Sequence, residues 1–336
     1  MKSTYPHIAV VGAGLAGAVL TSHLLQAGMS VTLFDKSRGT GGRLASCRLG
    51  DQVADLGAPL FEIDPGAFCD WLQQQPEISR WQPKRSDFSG ESLKPEQYFV
   101  VSPRQSALTR RLIQGAEFIP QLRVGSLWPE RVGSGQGVVL RDEHGKAIGH
   151  YDAVVVATPA RQAVALLEAL PRFMHRAAAV ATFPRWVQVL EIPAGAGPRS
   201  ELILGEHPQL LRVCHNSHKP GRIASAESEV WVLEANEQWS AEYCDAPPAQ
   251  ISASLKAAFS SLLPASPKVI SERTHRWLYA RHEGLGEPFL WDERSAIGAC
   301  GDWLAVGGAE GAWRSASLLA GEVIRQFTSP LKAEMA

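Results

Sequence analysis

The hydrophobic and polar positions at the start of the chain predict a strand, a helix and a second strand. The apolar run His7–Val11 leads into a glycine-rich turn, a helix-like run follows, and the run Val31–Phe34 ends on Asp35. Further along, Ala153–Ala157 and Ser295–Gly301 are continuous apolar runs, which are typical of parallel strands buried on both faces. The pattern therefore predicts an α/β chain built around a parallel sheet.

The middle of the chain has a different pattern. Short strands separated by turns fall between residues 178 and 236, which indicates an antiparallel sheet and a second domain. We expect no regular structure in Pro76–Glu96, a turn at Gly133–Gly137 and a frayed tail at Thr328–Ala336. Apolar periodicity predicts the helices Pro65–Gln75, Ser102–Gly115, Ala160–Leu170, Pro248–Leu263 and Gly311–Phe327. The further predicted strands are Gln52–Leu56, Tyr98–Val101, Phe118–Trp128, Val138–Asp142, Trp186–Ile192, Glu201–Leu204, Leu210–His215, Glu229–Ala235 and Val269–Tyr279.

Length, composition and charge narrow the classes of function. The 336 residues are 45% hydrophobic, which suits about two domains at roughly 150 residues each. A net charge of −1 gives no reason to expect nucleic acid or an anionic membrane as a partner. No run approaches the ~20 apolar residues of a membrane span, and Met1–Pro6 lacks the pattern of a signal peptide. We therefore expect a cytoplasmic protein.

The cysteines form neither a disulfide framework nor a metal-ligand pattern. They are odd in number, scattered, and without a C-x-x-C pair. His215 and His218 are three residues apart, but no second pair of ligands accompanies them. We expect reduced thiols and no bound metal. The cysteines are Cys47, Cys69, Cys214, Cys244 and Cys300.

The turn after the first strand, Gly12–Gly17, has the glycine spacing of a dinucleotide-binding βαβ unit. Gly12 permits the tight turn, Gly14 lets the backbone approach a pyrophosphate, and Gly17 lets the helix pack closely on the sheet. The positive N-terminus of the helix would face the phosphate charge. Asp35, about 20 residues further on, is placed to accept a hydrogen bond from a ribose hydroxyl.

Two further segments favour FAD over NAD. The segment Lys36–Arg43 has no role in a plain NAD domain, and its glycines let the backbone run beside a diphosphate while Arg43 pairs with phosphate oxygens. Near the C-terminus, Asp302 ends a strand, where it can accept from a sugar-alcohol hydroxyl. The N–H groups around Gly311-Ala312 are expected to open a helix whose positive end could stabilise charge on a reduced flavin.

These segments resemble the FAD-binding domain of the flavin amine oxidase superfamily, from residue 7 to about 327, and most of all bacterial renalase-type proteins. The most specific stretches are His275–Arg281 (HRWLYAR) and Cys300–Trp313 (CGDWLAVGGAEGAW), and Asp35–Arg43, Asp55–Phe61 and Asp152–Pro159 also match. The resemblance implies an α/β fold: an FAD-binding Rossmann-like domain of the glutathione-reductase type with a second α+β substrate domain built on an antiparallel sheet. The FAD would be bound non-covalently.

The resemblance also divides the chain into discontinuous domains. The expected FAD-binding domain comprises residues 1–70, 102–165 and 270–330. The expected substrate-binding domain comprises residues 71–101 and 166–269.

The resemblance implies which residues contact FAD. Asp35 would hold the adenosine ribose, Val124 would frame the adenine and Asp302 would hold the ribitol. Gly57-Ala58 would lie beneath the flavin ring. The full implied set is Gly12, Gly14, Ala16, Asp35, Lys36, Gly42, Arg43, Gly57, Ala58, Val124, Thr158, Asp302, Gly311 and Ala312.

The candidate catalytic residues follow from the same resemblance. The phenol of Tyr279 could hydrogen-bond the substrate beside the flavin, Arg281 could clamp an anionic or carbonyl-bearing substrate, and Trp313 would lie next to the flavin. Each of them could instead pack or pair for structural reasons alone. The same alternative applies to the candidate substrate residues Trp186, His215, Asn236 and Trp277.

The activity that the resemblance implies is transfer of a hydride from a small reduced substrate, an isomeric dihydro-NAD(P), to flavin N5. Dioxygen, giving hydrogen peroxide, or another acceptor would reoxidise the flavin. Three alternatives remain open: a flavin amine or amino-acid oxidase, a biosynthetic tailoring oxidoreductase, and a flavin-binding protein without turnover. Pro59-Leu60 stand where the family usually has Gln and an aromatic residue, so the pocket floor lacks an amide and the substrate could differ.

Overall fold

The computed structural model describes residues 6–132, 135–223 and 225–328, and the chain divides into two structural units. The first unit comprises residues 1–42, 109–182 and 282–336, and the second comprises residues 43–108 and 183–281.

These boundaries differ from the expected domains. Residues 43–70, 102–108 and 270–281 group with the second unit. A hairpin and an edge strand from the first and last of these segments belong to its β structure. Residues 166–182 group with the first unit. Residues 1–5 and 329–330 of the expected FAD-binding domain, and the expected frayed tail beyond Thr328, lie outside the described residues.

The regular elements follow one another in small supersecondary groups. The α-helices are α1 (Leu15–Gln26), α2 (Ala67–Gln73), α3 (Ala107–Leu112), α4 (Ala160–Leu166), α5 (Pro171–Ala178), α6 (Glu237–Glu242), α7 (Pro248–Ser260) and α8 (Gly308–Thr328). The strands are β1 (His7–Val11), β2 (Ser30–Asp35), β3 (Ser46–Leu49), β4 (Gln52–Asp55), β5 (Ile78–Trp81), β6 (Arg85–Ser86), β7 (Tyr98–Val101), β8 (Glu117–Pro120), β9 (Val124–Val132), β10 (Gly135–Asp142), β11 (Ala147–Tyr151), β12 (Ala153–Val156), β13 (Thr182–Pro193), β14 (Leu202–Leu204), β15 (Leu210–His215), β16 (Ser228–Ala235), β17 (Ser271–His282), β18 (Leu290–Asp292) and β19 (Ile297–Ala299).

The first unit is built on a six-stranded sheet in the order β18-β19-β12-β1-β2-β8. The strands run parallel except for β18, which pairs antiparallel with β19. Strand β1 lies between β12 and β2 in the middle of the sheet, and its apolar residues are buried. Helices α1 and α8 pack against each other, and β9, β10 and β11 form a separate antiparallel sheet. This is the parallel sheet that the apolar runs predicted.

The second unit is built on a six-stranded sheet in the order β17-β13-β16-β15-β14-β6. It is antiparallel along β13, β16, β15 and β14, as the short alternating strands predicted. Helix α7 packs on one face through an apolar cluster that includes Trp231 and Phe259. The β3–β4 hairpin packs on the other face, against Val187, Val189 and their neighbours on β16.

Three local predictions were wrong. Pro76–Glu96 contains β5 and β6, because these short strands pair with distant partners, β7 and β14. Phe118–Trp128 is two strands in two different sheets, because Gln121 turns the chain with a left-handed φ of 58°. The expected turn at Gly133–Gly137 lies partly outside the described residues, and residues 135–137 belong to β10.

Candidate functional site

The glycine turn of the first unit has the geometry that a dinucleotide site requires. Gly12 has a φ of 113°, and a Cβ on it would come within 2.7 Å of the carbonyl oxygen of Ala157. A Cβ on Gly17 would lie only 1.9 Å from the carbonyl oxygen of Gly12. Gly14 is the N-cap of α1 and has no side chain to cap the free N–H groups. The first turn of α1 therefore presents backbone donors at the end of β1, where a pyrophosphate can bind.

A second glycine-rich segment, Gly41-Gly42, lies against this turn. Gly41 donates its backbone N–H to the carbonyl oxygen of Ala13 at 2.8 Å, and Gly14 and Gly41 form a parallel β-bridge. Gly42 has a φ of 53°, and a Cβ on it would lie 3.1 Å from the Cα of Gly14. Two backbone segments without side chains thus lie side by side, which leaves a cradle that suits a diphosphate.

Asp35 occupies the end of β2, as predicted, but both of its carboxylate oxygens already accept hydrogen bonds. Oδ2 accepts from the N–H of Ala13 at 2.8 Å and Oδ1 from the N–H of Ser37 at 2.7 Å. The carboxylate therefore joins the glycine turn to the segment after β2. A ribose hydroxyl would use the remaining lone pairs of these oxygens.

Three other predicted cofactor residues belong to the same unit. Val124 is the first residue of β9 and is buried in the apolar core. Lys36 has an exposed side chain, but partial desolvation and then the charge of Arg123 lower its pKa, while Asp35 opposes the shift. The hydroxyl of Thr158 is a buried polar atom without a hydrogen-bond partner among the described residues. An unpartnered buried hydroxyl is costly unless a ligand satisfies it, so this atom fits a bound group.

The C-terminal segment differs from the prediction in one respect. Asp302 is buried shortly beyond the end of β19, as expected, and its carbonyl accepts from the N–H of Gly307. Helix α8 begins at Gly308, however, so Gly311 and Ala312 do not open it. The N–H of Gly311 is already bonded to the carbonyl oxygen of Gly307 at 3.1 Å. The free N–H groups of α8 therefore belong to earlier residues than predicted.

In the second unit, a tight backbone arrangement surrounds the predicted residues Arg43, Gly57 and Ala58. The N–H of Ala58 donates to the carbonyl oxygen of Arg43 at 2.8 Å, and a Cβ on Gly57 would lie 2.0 Å from that oxygen. The guanidinium of Arg43 donates to the carbonyl oxygen of Ala280 on β17 at 3.2 Å. The two predicted segments of this unit are therefore in direct contact.

A buried ionic cluster holds the segment before Gly57. Asp55 is fully buried and its Oδ2 contacts Lys219 Nζ at 3.0 Å and Arg222 Nη2 at 2.5 Å. Its Oδ1 accepts from the N–H of Gln105 at 3.0 Å. The Gln105 side chain is itself buried and donates to the carbonyl oxygen of Ala58 at 3.1 Å. An amide is thus present next to Pro59, although it comes from a different part of the chain than in the family pattern.

The predicted catalytic residues Tyr279 and Arg281 both lie on β17. Tyr279 is half-buried, and its hydroxyl makes no hydrogen bond with any described residue. Arg281 is bound by Glu237 through Nε at 2.6 Å and Nη2 at 2.9 Å, and its guanidinium stacks 4.2 Å from the centroid of Phe183. Trp313 is half-buried in the first turns of α8.

The candidate substrate residues differ in how firmly the protein holds them. Trp277 packs on the apolar cluster beneath the β3–β4 hairpin and donates to the carbonyl oxygen of Leu56 at 2.9 Å. Trp186 is in the core beside α7 and donates to the carbonyl oxygen of Tyr243. Asn236 is the N-cap of α6, and its side chain accepts from the N–H of Trp239. Trp186 and Asn236 therefore have complete structural roles of their own.

His215 is buried in a column of aromatic rings. Its ring stacks on His218 at 3.7 Å and on Trp231 at 4.3 Å between centroids. Burial, and then the charge of His218, lower its pKa to about 4, while Glu229 and Glu201 oppose the shift. The neutral ring is therefore favoured. Among the described residues, no group of His, Cys, Asp and Glu side chains could hold a metal ion, and the five cysteines are free thiols.

Sequence reasoning missed a row of ionic side chains on the hairpin-covered face of the second sheet, to which Glu237 of α6 is joined through Arg281. We call the five residues Arg281, Glu237, Arg185, Glu234 and Arg212 the charged row. Arg212 forms an ion pair with Glu234, and Arg185 Nη1 lies 3.6 Å from the same carboxylate. The sequence did contain a signal. Arg185 and Glu234 stand two residues from valines of their strands, Val187 and Val232, and alternate residues of a strand share one face.

Comparisons with known proteins agree with this architecture. Residues 10–72 match the family of NAD(P)-binding Rossmann-like domains. A flavin-containing monooxygenase of Aspergillus flavus is 28% identical over 155 residues, which cover 45% of this chain and 35% of that protein. The match thus spans about a third of the length of this curated relative.

Solved structures show the same fold over nearly the whole chain. Cyclohexylamine oxidase from Brevibacterium oxydans has a TM-score of 0.72 at 11% identity, with 97% of this chain and 100% of that chain covered. A fatty acid isomerase from P. acnes that produces CLA has a TM-score of 0.68 at 12% identity, with 96% and 99% covered. At such identities the likeness shows the fold alone, and these two proteins act on different substrates.

The comparisons confirm the predicted fold class, a mixed α/β fold with a Rossmann-like domain, as in amine oxidase structures. The flavin-containing relative also supports FAD as the cofactor expected from the sequence. The glycine cradle and the unpartnered Thr158 hydroxyl fit such a group. Within the described part of the chain, no helix has both the length and the apolar character needed to cross a membrane.

Proposed function

We propose that this chain is an FAD-dependent oxidoreductase of the renalase-like type, which oxidises an isomeric dihydro-NAD(P). One observation carries the cofactor assignment. The segment after Asp35 folds back over the glycine turn, where Gly41 bonds Ala13 and Gly42 approaches Gly14 without side chains. A plain NAD domain does not need this second crossing, whereas a long dinucleotide with its diphosphate at the turn would be held from two sides.

The residues of the first unit that would hold FAD come from its first segment and from its last. The first turn of α1 and the Gly41-Gly42 backbone would bind the diphosphate, Asp35 the adenosine ribose, and Asp302 the ribitol. Bound FAD supplies a two-electron acceptor that dioxygen can reoxidise with release of hydrogen peroxide.

The protein's own contribution in the second unit is to bind and orient the substrate. The hydroxyl of Tyr279 makes no hydrogen bond with the described residues, so it can bond a carboxamide of the substrate. Its neighbours on β17 are held in place, Trp277 by Leu56 and Arg281 by Glu237. Arg43 and Trp277 hold the strand and the Leu56–Ala58 segment together through backbone carbonyls. Such rigid positioning is the part of catalysis that an enzyme with a reactive cofactor has to provide.

An amine oxidase is the second candidate, and the fold of cyclohexylamine oxidase favours it. The second unit argues against a cationic substrate, because three arginines lie together there with only two glutamates, Glu237 and Glu234, to balance them. Lys219, the buried lysine of this unit, is bound to Asp55 rather than held apart for catalysis. A protonated amine would meet unfavourable charge there.

The test is the visible spectrum of the purified protein and its bleaching under anaerobic conditions. We would add, separately, an aged NADH preparation rich in isomers, fresh NADH, and a panel of amines. Rapid bleaching by the isomer mixture alone is the expected result. Tyr279→Phe should slow this bleaching about tenfold or more, because the substrate loses a hydrogen bond in a dry site, while Tyr243→Phe in the same unit should not.

The contrary outcomes are distinct. Bleaching by amines and by no nicotinamide would replace the proposal with an amine oxidase. Bleaching by none of them would favour a tailoring enzyme, with Pro59-Leu60 as the reason, or a flavin-binding protein without turnover. A protein that is colourless and cannot be reconstituted with FAD would overturn the cofactor assignment itself.

A further inference from the structure

The four strand residues of the charged row lie on one face of the second sheet, and Glu237 of α6 is bound to one of them, Arg281. Strand alternation places Arg185 on the face of Val187, and Glu234 on the face of Val232, which are both covered by the β3–β4 hairpin. Arg212 is the register partner of Glu234. The row therefore continues from the hairpin-covered apolar patch toward the ends of β13, β16 and β15.

Arg185 makes no hydrogen bond with any described residue, although it lies near Glu234 and its charge also reaches Glu237. Glu237 is bound by Arg281 through two short hydrogen bonds, and Glu234 is in close contact with Arg212. Arg185 Nη1 is 3.6 Å from Glu234, which is longer than a hydrogen bond. Its Nε is buried and has no hydrogen-bond partner among the described residues. The side chain keeps 20% of its surface exposed, so an anion would bind at that exposed part of the guanidinium.

Tyr279 lies close to Arg185 on the same face. Strand β17 lies next to β13 and runs antiparallel to it: Thr274 contacts Gln188 near one end, and the N–H of Glu283 donates to the carbonyl oxygen of Ala181 at the other. Arg281 stacks on Phe183 near that second end. These contacts place Tyr279 directly or diagonally opposite Arg185 on the same face, about 5–8 Å away. One ribose can span that separation between an aromatic ring and a phosphate.

We propose that Arg185 binds a phosphate group of the substrate, so that the substrate class is a phosphate-bearing dihydronicotinamide, with its ring at Tyr279. This rests on the proposed function, which makes the substrate a dihydronicotinamide nucleotide. The ring of such a nucleotide carries an uncharged carboxamide, and its anionic groups are the phosphates. The Arg185 side chain is only 20% exposed, so a phosphate there is partly shielded from water and the charge-assisted hydrogen bonds are strong.

The first experiment compares two reduced isomer mixtures, nicotinamide mononucleotide and nicotinamide riboside, which differ by one phosphate. Arg185→Gln should raise the KM of the mononucleotide about tenfold and leave that of the riboside within about twofold. Arg185→Lys keeps the charge and should recover part of the loss. Arg199→Gln is the matched control, because it removes an exposed arginine of the same unit from the loop between β13 and β14.

The second experiment needs no turnover. We would measure the binding of inorganic pyrophosphate to the FAD-loaded protein by calorimetry, where wild type and Arg199→Gln should bind and Arg185→Gln should bind at least about tenfold more weakly. The phosphate subsite would be overturned if Arg185→Gln changed the KM of both substrates equally. It would also be overturned if Arg185→Gln bound pyrophosphate as tightly as wild type. Pyrophosphate binding that depends on Arg185 in a protein that oxidises no nicotinamide would keep the subsite and overturn the proposed function.

Discussion

Asp55 shows how one buried charge can hold several segments of the chain. Its carboxylate binds Lys219, Arg222 and the backbone of Gln105, and Asn216 accepts from its N–H. Burial alone would raise the pKa of this carboxyl, but the two cations outweigh it and hold the pKa below its usual range. Asp55 is therefore charged, and both cations depend on that charge.

Replacement of Asp55 by Asn should lower the free energy of unfolding by about 3–5 kcal/mol, because two buried cations lose their counter-charge. Urea denaturation followed by tryptophan fluorescence measures this. Asp64→Asn, at an exposed position, is the control and should change stability by about 0.5 kcal/mol or less. A loss below about 1 kcal/mol for Asp55→Asn would contradict the ionic role.

His215 gives a pH dependence whose sign can be worked out. Its pKa is about 4 in the folded protein, below the value of about 6.5 in an unfolded chain. Between these values the unfolded chain takes up a proton that the folded protein does not, so stability should fall as the pH drops from about 6.5 to about 4.

The measurement is urea denaturation across this pH range for wild type and His215→Gln. The variant should lose less stability between neutral and acid pH, because it lacks the group that gains a proton on unfolding. His144→Gln, in an exposed turn, should keep the wild-type slope. Parallel curves for His215→Gln and wild type would show that other groups cause the acid instability.

At the scale of elements, α1 and α8 offer a matched pair of glycines inside helices. Gly17 in α1 lies against the carbonyl of Gly12, whereas Gly321 in α8 has open space around its Cα. Gly17→Ala should therefore prevent the glycine turn from forming and abolish FAD binding. Gly321→Ala should stabilise the protein by about 0.5–1 kcal/mol, because alanine favours the helix.

Flavin content after purification and the urea midpoint together check this pair. Full flavin content in Gly17→Ala would mean that the helix can move away from the turn, contrary to their close packing. A destabilised Gly321→Ala would contradict the open space beside α8.

Local sequence signals predicted some elements well and others not at all. The β1–α1–β2 unit was predicted from its glycine spacing because the motif and its structure lie within one short segment. Strands β5 and β6 were missed because their partners, β7 and β14, are far away in sequence. The charged row was missed for the same reason: Arg185 and Glu234 become neighbours only when β13 and β16 pair.

At the scale of the whole molecule, cofactor binding should govern stability. A ligand that binds only the folded protein stabilises it by about 2.7 kcal/mol at a hundredfold excess over its Kd. The melting temperature of flavin-free protein should therefore rise steadily with added FAD. Riboflavin, which lacks the adenosine diphosphate, is the control and should have little effect. Equal shifts by the two would show that the glycine cradle does not bind the diphosphate.

The order of segments in the first unit has a consequence for synthesis on the ribosome. The glycine turn emerges first, but β19, Asp302 and α8 of the same unit are translated only after all of the second unit. Strand β12 gains its neighbour β19, and α1 its partner α8, only after the second unit has been made. The nascent protein should therefore acquire its flavin late, and a ribosome stalled before residue 300 should carry a colourless chain.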